Sequence, residues 1–182
     1  ADPMTGVGFH GIAPGAKILP VRVTDRETGE ANSARTVNPG VLARGIVYAV
    51  DQGAKVINLS MSGGKDEKVV RQAIAYAVRK DVVVVAAVGN QQSDDAGALP
   101  SYPASYPGVL GVGAVDIEGA RTNGSQVGSY VDLVAPGNGV LAGTRRTGHM
   151  YVSGTSFAAP FVSATAALVR AAWPKLTAAQ VI

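Results

Sequence analysis

The stretch DVVVVAAVGN, residues 81–90, decides the fold class of this sequence. Every residue from Val82 to Val88 is apolar, and the run ends at the turn-forming pair Gly89 and Asn90. A strand with one face in water alternates apolar and polar residues, whereas a strand covered on both faces does not. Valine also favours strands over helices. The stretch therefore predicts a central strand of a parallel sheet, with helices packed on both faces.

Short β-branched runs and helical patterns alternate on both sides of this strand, which predicts an α/β fold with a mostly parallel sheet. Asn38 and Pro39 are typical of a helix start, and the inner face of that helix should carry Leu42, Ile46, Ala49 and Val50. A second helix should open at residues 66–68 and turn inwards Val70, Ile74, Ala77 and Val78. Further strands are predicted in AKILPVRV (residues 16–23), AKVINLSM (54–61), VLGVGAVD (109–116) and YVDLVAPG (130–137). A variable turn, a long helix after Ser153 and a new helix capped by Thr177 complete the chain.

The composition and charge of the chain argue against several classes of protein. The chain has 182 residues, the size of one domain, and a net charge of +3 from 16 basic and 13 acidic residues. These charges form no basic run with interleaved aromatic residues, so nucleic-acid binding is not expected. The absence of cysteine excludes disulfides, thiolate metal sites and a cysteine nucleophile. No apolar stretch is long enough to span a membrane, and the first residues lack the pattern of a signal peptide.

The segment SGTSFAAP, residues 153–160, places Ser156 at the mouth of the long helix. One interpretation is a helix cap, because serine at a helix start accepts a backbone N–H. The other is a nucleophile, because free N–H groups and the positive end of the helix dipole favour an anion that forms beside the hydroxyl. Gly154 permits a sharp turn, and Pro160 lies where the first turn ends.

Six blocks of this sequence resemble the subtilisin-like serine proteases, in family order. The longest is GTSFAAPFVSATAALV (residues 154–169), which is similar to the family's serine signature. The others are GIAPGAKILPVRV, GAKVINLSMSGG, VVVVAAVGN, YPASYPGVLGVGAVD and VDLVAPG. Residues 153–182 most resemble the mycosins, the actinobacterial proteases of type VII secretion. The resemblance implies a subtilisin-like three-layer fold and identifies residues 1–182 as part of a peptidase catalytic domain.

The resemblance also implies roles for individual residues. Ser156 would be the nucleophile, and Asn90 would donate its side-chain amide to the oxyanion together with the backbone N–H of Ser156. Outside that context Asn90 is a turn residue after Gly89. An extended edge would pair with the substrate backbone through Leu59, Ser60, Met61, Ser62 and Gly63. Met61 and residues 86–89, which include Ala87, Val88 and Gly89, would line a pocket with room for an apolar side chain that Val88 narrows. The alternative for these residues is ordinary strand packing.

The catalytic base and its acid partner have no candidates that fit the family pattern. His10 belongs to a block that follows the family's histidine motif, and His149 lies in the turn before the serine, so neither is expected to act as base. No aspartate precedes the Ser/Thr-Gly pair that the family requires. In the family, the aspartate strand lies between the strands that match residues 16–23 and 54–61. The resemblance therefore implies that this strand, the aspartate and the histidine belong to an upstream part of the same domain.

Partners and alternatives follow from the same resemblance. A peptide or protein substrate, an extracellular or cell-envelope location and a membrane anchor outside this chain are expected. No cofactor is expected, although Asp94 and Asp95 leave a calcium site as an alternative to a solvated loop. A non-catalytic fragment that binds peptides is the second hypothesis. A different α/β hydrolase is disfavoured, because its Gly-x-Ser-x-Gly elbow would need glycine where Ala158 stands.

Overall fold

Four helices and six strands lie within the residues that the computed structural model describes, namely 10–24, 37–93, 97–144 and 148–182. The order along the chain is α1 (Pro39–Asp51), β1 (Val56–Leu59), α2 (Lys68–Arg79), β2 (Val83–Ala87), β3 (Val109–Val115), β4 (Leu133–Pro136), β5 (Val140–Gly143), β6 (His149–Val152), α3 (Thr155–Ala172) and α4 (Ala178–Val181). No helix in these ranges is long and apolar enough to cross a membrane.

The sheet has four strands in the order β1-β2-β3-β4, and every neighbouring pair is parallel. Strand β2 is buried over its whole length, with Val83, Val84 and Val85 completely inaccessible to solvent. The prediction from residues 81–90 is confirmed, because β2 is an inner strand covered on both faces.

Helices cover the two faces of the sheet and give the fold three layers. Successive side chains of a strand point to opposite faces, so Val84 packs with α1 and α2 while Val85 packs with α3. Ile46 and Ile74 complete the core on the first face, and Ala158 and Ala159 approach the sheet on the second. The predicted α/β class with three layers is confirmed.

Local signals set the helix starts and inner faces. Asn38 caps α1, since its Oδ1 accepts the backbone N–H groups of Gly40 at 2.9 Å and Val41 at 3.2 Å. All four residues predicted to face inwards from α1 are buried. The prediction for α2 is wrong at one position, because Val78 is exposed at the rim beside Gly108 and Ala73 is buried instead.

The strand predicted over residues 16–23 is wrong, because this segment forms no strand. Its Val21 and Val23 pack against α1 at Gly45, where a side chain on the glycine would meet both valines. The segment is not paired with β1 as a strand, since β1 is the edge of the sheet as described and pairs only with β2. The sequence predicted only a variable turn before the long helix, whereas the structure has the antiparallel pair of β5 and β6 there.

A large groove follows the unpaired edge of β1. Its volume is about 1800 Å³ and it lies between the inner face of α1, β1, residues 16–23 and one side of α3. Ile46, Ile57 and Ala167 are among its mainly apolar lining residues, and His10 lies on its wall. We call this space the edge groove.

Asp81 joins the turn before β2 to the C-terminal helices. Its Oδ2 accepts from Arg170 Nη2 at 2.7 Å, and its Oδ1 accepts the backbone N–H of Ala178 at 2.5 Å. Thr177 and Gln180 form a capping box, which confirms the predicted start of α4. The N–H of Ala178 and then the Arg170 guanidinium lower the pKa of Asp81 below its ordinary 3.8.

Replacement of Asp81 by asparagine should make the stability of the fold less dependent on pH in the acidic range. A carboxyl group whose pKa is lower in the folded state stabilises the fold above its unfolded pKa and loses that contribution as the pH falls through its folded pKa. Asparagine tolerates the left-handed backbone of this position, where φ is 61°, but carries no charge. Asp81→Asn should therefore lower Tm near pH 7, and the difference from wild type should shrink below about pH 4. An equal Tm difference at pH 7 and pH 2.5, measured by circular dichroism, would contradict this reasoning.

Candidate active site

The turn before α3 depends on Gly154. Its backbone has φ 135° and ψ 160°, a region that residues with a side chain scarcely adopt. Its N–H donates to Gly137 O at 2.7 Å, which fixes the turn against the end of β4. A Cβ on Gly154 would lie 3.3 Å from Asn90 Nδ2, so the glycine also allows Asn90 to approach the start of the helix.

Two hydrogen bonds tie the start of α3 to the end of β2. Thr155 is fully buried, and its Oγ1 accepts the backbone N–H of Gly89 at 3.2 Å. The N–H of Thr155 in turn donates to Asn90 Oδ1 at 2.9 Å. The sequence separates these residues widely, but the fold places Asn90 directly beside the helix turn that carries Ser156.

Ser156 is the second residue of α3 and is half-buried. Its hydroxyl donates to Ser60 O at 3.2 Å, and Ser60 Oγ donates to Ser156 O at 2.8 Å. Asn58 Nδ2 donates to Ser60 Oγ at 2.9 Å, and Ser163 Oγ donates to Asn58 Oδ1 at 2.8 Å. The hydroxyl of Ser156 is thus held at the carboxyl end of β1 and accepts no capping N–H within the described contacts.

Two N–H donors beside Ser156 are available to a ligand. Asn90 is exposed, and its Oδ1 is occupied by Thr155 while its Nδ2 has no partner in the described part of the chain. The backbone N–H of Ser156 lies in the first turn of α3, where helix N–H groups lack intrahelical acceptors. A hydroxyl flanked by two such donors can attack a carbonyl carbon while the donors hold the oxygen that becomes negative.

The predicted substrate edge is only partly extended. Leu59 ends β1, and Met61 N–H turns back to Leu59 O at 2.8 Å. Gly63 pairs with Tyr102 through two backbone hydrogen bonds of 2.8 Å. Ser60 and Ser62 lie between these anchors, outside any strand.

The predicted pocket residues divide into two groups. Ala86 and Val88 are buried in the core towards α1 and α2, and Ala87 is buried towards α3. All three are buried in the core, as the packing interpretation expects, and their part in a pocket stays a prediction. Gly89 differs, because a Cβ on it would lie 2.6 Å from Ser62 Oγ and 2.9 Å from Gln126 Oε1. Ser62 and Gln126 therefore meet over Gly89.

Sequence reasoning missed Gln126 and the pair formed by Asn58 and Ser163. Gln126 reaches the site because its N–H donates to Gly89 O at 3.0 Å, and Val127 N–H donates to Gln92 Oε1 at 3.2 Å. No local pattern predicts these contacts, since each of them joins segments more than thirty positions apart in the sequence.

Neither histidine is hydrogen-bonded to Ser156 among the described contacts. His10 is exposed on the wall of the edge groove, and His149 opens β6 opposite Gly143. Asp94 and Asp95 lie outside the described residues. Within the described ranges, no three His, Asp or Glu side chains cluster in a way that could hold a metal ion.

Comparison with known proteins identifies relatives of this chain. The model of the subtilase family, Peptidase S8, matches residues 1–182. The chain is 39% identical over 169 residues to a thermophilic serine proteinase of Bacillus sp. (strain AK1), which covers 93% of this chain and 39% of that protein. It is 39% identical to thermitase of Thermoactinomyces vulgaris, with 89% of this chain and 54% of thermitase covered. The chain thus spans about half the length of these relatives or less.

Solved structures extend the comparison to the mycosins. The serine protease MycP1, described as an essential component of the type VII (ESX-1) secretion system, superposes with a TM-score of 0.76 at 34% identity. The superposition covers 96% of this chain and 60% of MycP1. The mycosin similarity predicted from the sequence is confirmed. Because the family model matches all 182 residues of the chain, the chain belongs to the subtilase family.

Proposed function

We propose that this chain is the part of a serine endopeptidase domain that carries the nucleophile, Ser156, and the oxyanion donor, Asn90. The observation that carries the proposal is the position of Asn90, whose Oδ1 is held by Thr155 N–H beside Ser156 while its Nδ2 has no partner among the described residues. Peptide and protein substrates and an extracellular or cell-envelope location follow from the family. Nucleic acid is not among the proposed partners.

The proposed reaction begins when Ser156 Oγ attacks the carbonyl carbon of a peptide bond. A C–O bond forms, the carbonyl π electrons move to the oxygen, and the hydroxyl proton passes to a base. Asn90 Nδ2 and the N–H of Ser156 stabilise the oxyanion. Collapse of the tetrahedral intermediate breaks the C–N bond, and the amine leaves with the proton from the base. Water then attacks the acyl-serine and releases the second product.

The base and its orienting acid are proposed to come from an upstream part of the same domain. Ser156 Oγ donates to a backbone carbonyl of Ser60, so its proton has no titratable acceptor among the described contacts. The edge groove supports the proposal as well. An added strand that paired with the free edge of β1 would satisfy its backbone groups and cover exposed apolar residues of the groove lining, which include Ile18 and Leu19.

The second candidate is a non-catalytic fragment that binds peptides. The hydrogen bond from Ser156 to Ser60 favours it, since a serine without a base is a weak nucleophile. This candidate uses the same Ser60–Ser62 segment as a binding edge.

A fluorophosphonate probe on the intact protein tests the two candidates. We expect the probe to label Ser156, and Ser156→Ala to abolish both labelling and peptide hydrolysis. Ser153→Ala is the matched control, because Ser153 lies three residues before Ser156, outside α3, and its hydroxyl donates to Asn138 Oδ1 instead. It should retain labelling. Peptide binding without labelling in the wild type would favour the non-catalytic candidate, and labelling that survives Ser156→Ala would refute the proposed nucleophile.

A further inference from the structure

The backbone carbonyl of Ser156 lacks its usual partner within α3. In an α-helix this oxygen would accept the N–H of the residue four positions later, but that residue is Pro160, which has no N–H. The proline ring also crowds the carbonyl four residues before it. Ser60 Oγ supplies a donor from outside the helix, at 2.8 Å from Ser156 O. The backbone of the proposed nucleophile is therefore tied to the segment that follows β1.

The chain is held on the other side of Ser156 as well. The N–H of Thr155 donates to Asn90 Oδ1 at 2.9 Å. The backbone at Ser156 is thus fixed between Asn90 and Ser60, and its orientation decides where the hydroxyl and the N–H of Ser156 point. Such precision matters, because a misplacement of about 1 Å can cost about a hundredfold in rate.

Two further side chains set the direction of the bond from Ser60. Asn58 Nδ2 donates to Ser60 Oγ at 2.9 Å, and Ser163 Oγ donates to Asn58 Oδ1 at 2.8 Å. A serine hydroxyl has one proton, so a donor from Asn58 leaves the Ser60 proton for Ser156 O. Ser163 reaches Asn58 because it lies seven residues after Ser156, two helix turns along the same face of α3.

We infer that Ser163 and Asn58 are positioning residues for the proposed reaction, which act through Ser60 on the backbone of Ser156. The inference rests on the proposed function for the role of Ser156. Both side chains belong to the lining of the edge groove. The upstream part that is proposed to fill this groove would cover them, and a hydrogen bond shielded from water is electrostatically stronger.

Fluorophosphonate labelling of the intact protein tests the inference, with the probe in excess. The rate constant then describes the folded molecules alone, and the amplitude records how many molecules are folded. Ser163→Ala removes the first hydroxyl of the chain of hydrogen bonds, and alanine is the most favourable residue in a helix. We expect an unchanged amplitude and a rate constant about fivefold lower, the value of one net hydrogen bond. Ser163→Thr keeps a hydroxyl and should recover most of the loss.

Asn58→Asp tests the direction of the chain of hydrogen bonds. Aspartate has nearly the same shape and still accepts from Ser163, but it offers Ser60 Oγ an acceptor in place of a donor. The Ser60 proton should turn from Ser156 O to the carboxylate, because a hydrogen bond to a charged acceptor is the stronger one. We expect the labelling rate constant to fall by about tenfold, as for loss of a well-placed hydrogen bond.

Thr165→Val is the matched control, because Thr165 is an exposed residue of α3 whose hydroxyl donates to Phe161 O in its own helix. It should retain the wild-type rate constant, and an equal loss there would overturn the inference. An unchanged rate constant in Ser163→Ala or Asn58→Asp also overturns it, while labelling of the wild type leaves the proposed function standing. The two changes lie on different elements, so one result remains if the other variant fails to fold. A wild-type protein that is never labelled refutes the proposed function, and the inference with it.

Discussion

Residues 1–182 joined to the upstream part of their domain should react with a fluorophosphonate at least about 10⁴ times faster than residues 1–182 alone. The reason is the proton on Ser156 Oγ. In the described structure this proton points to Ser60 O, a backbone carbonyl that cannot take it up. In subtilisin, a relative of this chain, removal of the catalytic histidine costs about 10⁶ in kcat. The chain alone should resemble such a variant.

The measurement is the second-order rate of labelling, followed by mass spectrometry of the Ser156 peptide. The control is the same upstream part with its histidines replaced by alanine, which can fill the edge groove but supplies no base. Equal rates for the chain alone and the joined protein would contradict the proposal. In that case a base lies within residues 1–182, and His10→Ala and His149→Ala would identify it.

Asn90→Leu should lower kcat of the joined protein by about 10² to 10³ with little change in KM, as expected for loss of one oxyanion donor. The donor acts on charge that exists only in the transition state, so substrate binding is scarcely affected. Leucine also removes the acceptor for Thr155 N–H, which is bound at 2.9 Å in the native protein. A structural effect on α3 must therefore be separated from the chemical one.

Asn90→Asp makes that separation. Aspartate keeps an oxygen for Thr155 N–H and should preserve the start of α3, but it replaces the Nδ2 donor with a negative charge next to the oxyanion. We expect Tm near that of the wild type and a loss of kcat at least as large as for leucine. Full activity of Asn90→Asp would show that the Nδ2 donor has no part in the reaction.

The sequence predicted those parts of the fold that local patterns determine. Asn38 and the apolar residues of α1 fixed the start and inner face of that helix, and the unbroken apolar run of β2 indicated burial on both faces. The prediction of a strand over residues 16–23 was wrong because a strand forms only by pairing with another strand, and no local pattern encodes that pairing. Val78 was misplaced because the rim of a helix face depends on what packs there, in this case Gly108.

In the candidate site, too, residues with a local sequence motif were predicted, and contacts between distant segments were not. Ser156 and Asn90 were predicted because their neighbours in sequence carry a distinctive motif, and the structure places Asn90 beside the turn at Gly154 that precedes Ser156; their catalytic roles stay a prediction. The contacts of Gln126 and Ser60 were not predicted, because they arise only when the loop before β4 meets the end of β2 and when β1 meets α3. Their residue types are common in loops and carry no signal of their own.

The free edge of β1 has a consequence for handling the isolated chain. Its outer row of backbone N–H and C=O groups is unpaired within the described fold, and an unprotected edge of this kind is a template on which a second chain can form a strand. Residues 1–182 produced on their own are thus exposed to self-association through this row, in a concentration-dependent manner. Low protein concentration, or co-expression with the upstream polypeptide, would keep the β1 edge of one molecule from pairing with the β1 edge of another.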